Sequence, residues 1–401
     1  MDIIDTLKNY QKQGSKFGTE RARALLNALK SPDDNLKIIH VAGTNGKGTT
    51  CAYLTRIIKS SGKRVGAFTS PEVYSFAEQF CVDGAPLKEE VLSKYLTAAY
   101  REAMKAYDKP SAFDVLTAAA LLAFSEEGCE YAVIECGMGG LNDSTNAINS
   151  KELAVLTSVS LEHTAYLGDT VEKICEQKAG IIKNCPAIVS AYQCEQAKKY
   201  FSSLGVKFAG ERLEMLSSSA LGQTFLYNGN KYFIRMHGEA QAYNAATAAE
   251  AALALGFSVK SIEEGLASTE LKGRVEAINK GNVTYVLDGA HNPASFAPLT
   301  EYVRAFDGVK QLVYACLSDK DVKSIAPILC GVFDKIIVFA PDSYRAMDIE
   351  SIYSAFSHCG KEIQRAGSVQ DALGRARGDL IAVCGTFTVL KEAKDWIDKK
   401  Q

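Results

Sequence analysis

Short apolar runs rich in β-branched residues alternate with amphipathic stretches along most of the chain. Lys37–Ala42 (KIIHVA) predicts a buried strand. A Gly-rich turn follows, and then a helix from about Gly48 to Lys59, whose Ala52, Leu54, Ile57 and Ile58 approximate one face. Val65–Phe68 predicts the next strand, Lys88–Tyr107 and Phe113–Glu127 predict helices, and Tyr131–Glu135 and Leu153–Thr157 are further buried-strand runs. Thr170–Lys178 reads as a helix that Asp169 or Thr170 can cap. Residues 223–236 alternate around Asn228-Gly229-Asn230, a hairpin signal, and Gln241–Leu255 is an alanine-rich helix. Residues 1–30 predict a helical pair broken at Gly14–Gly18.

Alternation resumes after Gly281, with strands expected at Val283–Leu287, Gln311–Cys316, Lys335–Phe339 and Leu380–Val383 and helices between them. The pattern predicts an α/β protein of two domains. Residues 1–280 would form the first, with a mostly parallel sheet, and residues 281–401 an open α/β sheet of their own. The boundary is expected near Ile278–Asn282 (INKGN), a polar Gly-containing stretch, and so short a linker implies domains hinged across a cleft.

Composition narrows the function. The chain has 401 residues, 47% hydrophobic and 23% charged, with a formal charge of −2. That excludes a disordered tail and disfavours a nucleic-acid binder, which needs a basic face. No apolar run approaches the roughly 20 residues of a membrane span, and the start, MDIIDTLKNYQKQG, carries no signal-peptide pattern. The 11 cysteines include no Cys-x-x-Cys pair, so free thiols in a reducing cytoplasm are expected and a zinc ribbon is not.

The strongest local signal is Gly43-Thr44-Asn45-Gly46-Lys47-Gly48-Thr49-Thr50 between a strand and a helix. Glycines let backbone N–H groups turn toward phosphate oxygens, and the helix N-terminus adds positive partial charge. Lys47 can neutralise β- and γ-phosphates, and the Thr49 hydroxyl can reach magnesium. Glu135 ends an apolar strand and is followed by Gly137, Gly139 and Gly140, a placement suited to holding that ion beside the loop. The bland alternatives are a glycine-rich turn with a surface lysine and a solvated strand-end glutamate.

AGTNGKGT resembles the ATP loop of the Mur-ligase superfamily of ATP-dependent amide ligases. Thr69-Ser70-Pro71, residues 133–146 (VIECGMGGLNDSTN), residues 161–183 (LEHTAYLGDTVEKICEQKAGIIK), Gly238-x-x-Gln241-x-x-Asn244, Gly273-Arg274 and 287–293 (LDGAHNP) are similar to the folylpolyglutamate synthase/dihydrofolate synthase branch. They occur in family order across residues 41–293, with a weaker match to the chain end. The resemblance implies that Thr49, Ser70 and Glu135 hold the magnesium of ATP, and that His163 joins Glu135 on a second ion. It further implies that Lys178 is carbamylated into a carboxylate-like ligand. Asn244 would contact the adenine side of ATP. Arg274 would reach phosphate, and Asp288 and His291 ribose and phosphate. Asp143 and Ser70 would lie at the pterin acceptor, and Arg345 near the incoming L-glutamate.

The implied reaction has two steps. A carboxylate of a folate or dihydropteroate-like acceptor takes the γ-phosphoryl of ATP, and the amino group of L-glutamate then displaces phosphate from the acyl phosphate. Lys47, Glu135, His163 and Lys178 are the expected catalytic set. A monomer acting on small molecules is implied, with no nucleic-acid or membrane partner. Alternatives are a Mur-type ligase for a non-folate carboxylate and a non-catalytic ATP-binding paralogue. A cell-wall ligase is disfavoured because the loop begins at residue 43, leaving no room for a UDP-binding domain before it. The chain departs from the family pattern at Glu72 (family His), Gln79 (Arg), Leu141 (Arg), Glu162 (Asp) and Lys272 (Pro). Three of these, Glu72, Gln79 and Leu141, fall on the acceptor side, so the ligase class is the firmer expectation and the acceptor the open one.

Overall fold

The computed structural model describes residues 2–400 except 12, 13, 15, 220 and 221. It divides into two units, residues 1–235 with 240–269, and residues 236–239 with 270–401. The expected boundary at 280/281 is therefore displaced. Ile278–Lys280, part of the expected linker Ile278–Asn282, belongs to the strand Glu276–Lys280 of the second sheet. Within the expected helical pair, the helices are Ile3–Gln11 and Glu20–Ala28. Of the break between them, residue 15 lies outside the described residues.

The first unit is built on eight strands: β1 Lys37–Ala42, β2 Val65–Phe68, β3 Phe80–Val82, β4 Ala85–Pro86, β5 Tyr131–Glu135, β6 Leu153–Leu156, β7 Ala187–Ser190 and β8 Lys207–Ala209. Their order is β4-β3-β2-β5-β1-β6-β7-β8. From β2 to β8 all pairs are parallel, and β3 and β4 add an antiparallel edge. Central strands buried on both faces need apolar side chains on both, which is why β1, β5 and β6 read as continuous apolar runs.

The helices Glu89–Ala103 and Ala112–Glu126 share a core with Ile38, Phe68, Ala132 and Ile134. Ser111 and Asp114 start the second of them with a reciprocal cap, Ser111 N to Asp114 Oδ2 at 2.7 Å and Asp114 N to Ser111 Oγ at 3.1 Å. The helices Val171–Ala179 and Glu195–Ser203 pack Ile174, Cys175 and Phe201 with Ala154 and Leu156 in a separate core. Helix Val259–Ala267 lies on helix Lys47–Ser60, where Gly265 permits an approach that would set a Cβ 2.5 Å from the Ile57 backbone. Outside this sheet, β9 Glu214–Ser219, β10 Gly222–Tyr227 and β11 Asn230–Ile234 form a three-stranded antiparallel sheet that includes the expected hairpin.

The second unit holds β12 Glu276–Lys280, β13 Val283–Asp288, β14 Lys310–Tyr314, β15 Lys335–Val338, β16 Glu362–Arg365 and β17 Leu380–Cys384. Their order is β12-β13-β17-β14-β15-β16, parallel except for β12. Cys330 and Cys359 form a disulfide between segments ending the helices Val322–Cys330 and Ile349–Ser357, which corrects the expectation that every thiol is free. The other nine cysteines are free. Among the described residues no helix is long and apolar enough to cross a membrane.

Candidate active site

β1 ends at Ala42, and the chain turns through residues 43–46 before helix Lys47–Ser60 begins. Two positions in the turn demand glycine. A Cβ on Gly43 would overlap the Thr157 hydroxyl. Gly46 has φ +88° and faces Asn244, so a side chain there would strain the backbone and strike the Asn244 amide. Asn244 Nδ2 donates to Gln241 Oε1 at 3.2 Å, so the two residues placed three apart on one helix do meet. On the other flank, Thr44 N donates to Ser158 O at 2.7 Å and Thr44 Oγ1 to Ser160 O at 3.1 Å. Asn45 pairs with Ser158 in an isolated antiparallel bridge. Thr50 is buried in the first turn of the helix, where its N donates to Gly46 O.

Two ammonium groups meet at one loop carbonyl. Lys47 Nζ donates to Gly43 O at 3.0 Å and to Thr44 O at 3.1 Å. Lys178 Nζ donates to the same Gly43 O at 2.7 Å and to Glu162 Oε1 at 2.5 Å. Lys178 is 1% exposed although it stands in the last turn of its helix. Burial pushes its basicity down and Lys47 adds to that, against the pull of Glu162. Burial acts to raise the Glu162 carboxyl, but the charges of Lys47, Lys178 and His163 outweigh it and hold it below the usual range. The carboxylate therefore stays ionised between two lysines.

Glu135 is the last residue of β5 and is 4% exposed. Its Oε2 accepts from Ser70 N at 3.1 Å, and a Cβ on Gly48 would lie 3.5 Å from the same oxygen. Thr49, 4% exposed, occupies the same helical turn. Neighbouring strand ends of β2, β5 and β1 thus bring Ser70, Glu135 and Lys47–Thr49 together. Among the described residues, no group of three or more His, Cys, Asp or Glu is arranged to hold a metal. The local donor set is one carboxylate with two hydroxyl residues. It fits Mg²⁺, which keeps several waters and takes one or two carboxylates beside phosphate oxygens. His163 stands apart in character: it is exposed, in the left-handed region at φ +46°, and precedes the short helix Thr164–Leu167.

Beside Ser70 lies a cavity of about 420 Å³ lined by Phe17, Glu72, Phe113, Met138 and Asp143 among others. Asp143 is the cap of the turn Ser144–Ala147. Its oxygens accept from Met138 N at 2.8 Å, Thr145 N at 3.0 Å and Thr145 Oγ1 at 2.5 Å. Behind it the fully buried His40 lies 2.8 Å from Thr145 Oγ1 and 3.0 Å from Cys136 Sγ. Since the Thr145 proton points to Asp143, His40 must donate through Nε2, which leaves its buried Nδ1 without a partner. Burial first, and then Lys151 and Lys183, keep that ring neutral. Lys151 was not anticipated. Its Nζ donates to Asn146 Oδ1 at 2.6 Å and to Ile181 O at 2.9 Å, bracing the loop that carries Asp143, and burial pushes it down to about 8.

In the second unit, Asp288 ends β13 and accepts from Ala290 N at 2.6 Å and Val275 N at 2.9 Å. His291 Nδ1 lies 2.8 Å from Gly289 O. Arg274 sits over the Phe387 ring, 4.7 Å from its centroid, and His291 is 6.3 Å from the same ring. Phe387 thus gathers Arg274 and His291, and a Cβ on Gly289, next to Asp288, would enter its ring. Its sequence signal is a Gly-Thr-Phe turn directly after the apolar strand β17. Arg345 is half exposed and pairs with Asp319 at 2.9 Å.

Burial pushes the Asp288 carboxyl up to about 6, against the charge of Arg274. Between about pH 4 and 6 the folded chain holds this proton while the unfolded chain has released it. The group's contribution to stability therefore falls as pH rises through that window and is constant above it. Asp288→Asn should lose this slope: the difference in melting temperature, variant minus wild type, should climb from pH 4 to 6 and level off above. A difference independent of pH would contradict the burial argument.

Residues 41–252 match the Mur ligase middle domain, and residues 273–387 match the Mur ligase glutamate ligase domain. A Haloferax volcanii protein described as a bifunctional folylpolyglutamate synthase/dihydropteroate synthase is 32% identical over 424 residues, covering 98% of this chain, which spans only 50% of that longer protein. The dihydrofolate synthase/folylpolyglutamate synthase of Bacillus subtilis is 30% identical, with 86% of each chain covered. Among solved structures, Mycobacterium tuberculosis folylpolyglutamate synthase complexed with ADP and AMPPCP superposes with a TM-score of 0.88 at 27% identity, covering 99% of both chains. The chain belongs to the Mur ligase family, in its dihydrofolate synthase/folylpolyglutamate synthase branch.

Proposed function

We propose that the chain is an ATP-dependent ligase that joins L-glutamate to the carboxylate of a dihydropteroate or folate acceptor through an acyl phosphate. One observation carries the reading: two lysine ammoniums converge on the carbonyl of Gly43, in a glycine turn beside the Glu135 carboxylate. Lys47 spends its ammonium only on the neutral carbonyls of Gly43 and Thr44, which the phosphates of a nucleoside triphosphate can replace. Relatives of matching length carry the same activity in their names.

Residues 43–50 cradle the phosphates, and Lys47 exchanges its loop carbonyls for β- and γ-oxygens. Thr49, Ser70 and Glu135 hold Mg²⁺, which when bound neutralises the phosphate charge that an approaching carboxylate must overcome. Burial lowers the basicity of Lys178, the direction that eases loss of its proton and addition of CO₂ to the amine. As a carbamate it would serve, with His163 and Glu135, as ligand to a second ion. Asn244 takes the adenine side. Arg274, Asp288 and His291 take the ribose and phosphate contacts of the second unit, with Phe387 orienting Arg274. Ser70 and Asp143 face the acceptor, and Arg345 the glutamate. Nine cysteines outside disulfides fit a reducing cytoplasm, and the Cys330–Cys359 disulfide stands against it.

The test is phosphate release and product mass from ATP, Mg²⁺ and L-glutamate with dihydropteroate or a reduced folate. A product heavier by one glutamyl residue is expected. Phosphate release only with some non-pterin carboxylate would overturn the folate assignment and leave the ligase class standing.

A further inference from the structure

The cavity beside Ser70 carries a charge pattern that discriminates among acceptors. Its charged lining residues, among those described, are Lys16, Glu72 and Asp143. Lys16 is engaged elsewhere: its Nζ donates to Lys109 O at 2.8 Å and lies 3.7 Å from Asp108. Asp143 is engaged by the three donors of its own loop. Glu72 differs from both. One of its oxygens accepts from Gln79 Nε2 at 2.9 Å, and the other has no partner among the described residues.

Glu72 is also held in place. Gln79 is 3% exposed, and its carbonyl accepts from Thr69 N at 3.1 Å. The Glu78 carboxylate accepts from Val73 N at 3.1 Å and Tyr74 N at 2.9 Å, tying the loop from both ends. A carboxylate fixed in the wall of a cavity, with no cation free to offset it among the described residues, attracts N–H donors and repels a further anion. Because Ser70 lies only two positions away and contacts Glu135, this wall is next to where an acceptor carboxylate would react.

We propose that Glu72 is a specificity-determining residue. It restricts the acceptor to a molecule with a single carboxylate, the one that reacts, and a body rich in hydrogen-bond donors. The chain then adds the first glutamate to a pteroate and discriminates against acceptors that already bear glutamyl carboxylates. This inference rests on the folate reading above and sharpens it.

The experiment compares kcat/KM for 7,8-dihydropteroate and 7,8-dihydrofolate in wild type, Glu72→Gln and Glu72→Lys, with ATP, Mg²⁺ and L-glutamate present. Glutamine keeps an acceptor for Gln79, so the loop tie survives the change. Wild type should prefer dihydropteroate by about tenfold or more, and Glu72→Gln should reduce that preference by about fivefold, with Glu72→Lys reducing it further. KM for ATP should not move. Calorimetric binding of dihydrofolate without nucleotide should tighten in both variants, which reads the effect apart from turnover. Equal use of both acceptors by wild type, or a preference unchanged in both variants, overturns the inference alone. Ligation of neither acceptor by wild type overturns the folate reading and this inference together.

Discussion

Replacing Lys47 by methionine is expected to lower ATP turnover about a thousandfold while the chain stays folded. Lys47 opens a helix, where methionine has nearly the same intrinsic propensity. Its ammonium touches only the carbonyls of Gly43 and Thr44, and Gly43 keeps Lys178 as a donor when Lys47 is removed. The fold loses about 1–3 kcal/mol from two exchanged hydrogen bonds. The transferring phosphoryl group, by contrast, loses the loop cation that makes no salt bridge, since Lys178 is the one in contact with Glu162. Phosphate release and a thermal melt, measured side by side, decide the matter. Turnover within tenfold of wild type would remove Lys47 from the chemistry, and a lowered melting temperature with matching loss of activity would make it structural.

Glu135→Gln should cost turnover about a hundredfold or more and raise the Mg²⁺ concentration needed for half-maximal rate. The amide keeps an oxygen for Ser70 N and nearly the same volume, so the end of β5 is preserved. What disappears is the negative charge beside Gly48, in the first turn of that helix. Ser70→Ala leaves the Ser70 backbone donor in place and removes only a neutral hydroxyl, so its effect should be smaller. A Glu135→Gln enzyme with an unaltered Mg²⁺ titration would show that the ion is held by other groups.

Much of this architecture is legible in the chain itself. β1, β2 and β5 are buried on both faces, and sequence periodicity reports that condition directly. The edges are not legible in the same way. β12 alternates between partly buried and exposed positions and reads as polar linker, although Gly281 at φ +58° turns it back onto β13. β3 and β4 are too short to carry a period. The phosphate loop is legible because backbone geometry dictates where its glycines stand. The convergence of Lys178 on Gly43 is not, since it joins residues 135 positions apart through the fold. The Cys330–Cys359 pair escapes for the same reason, since it is defined by how distant segments meet; Phe387 follows a legible Gly-Thr turn, but its packing on Arg274 and His291 is not legible.

The packing of Asn244 and Thr157 against Gly46 and Gly43 has a kinetic meaning. A loop backed by rigid neighbours is already in its receiving shape when solvent fills it, so the entropy of ordering it is met once, during folding, and not again at every catalytic cycle. Nucleotide can enter and leave without the turn unravelling. The motions that set the pace of turnover must then be sought in other segments of the chain.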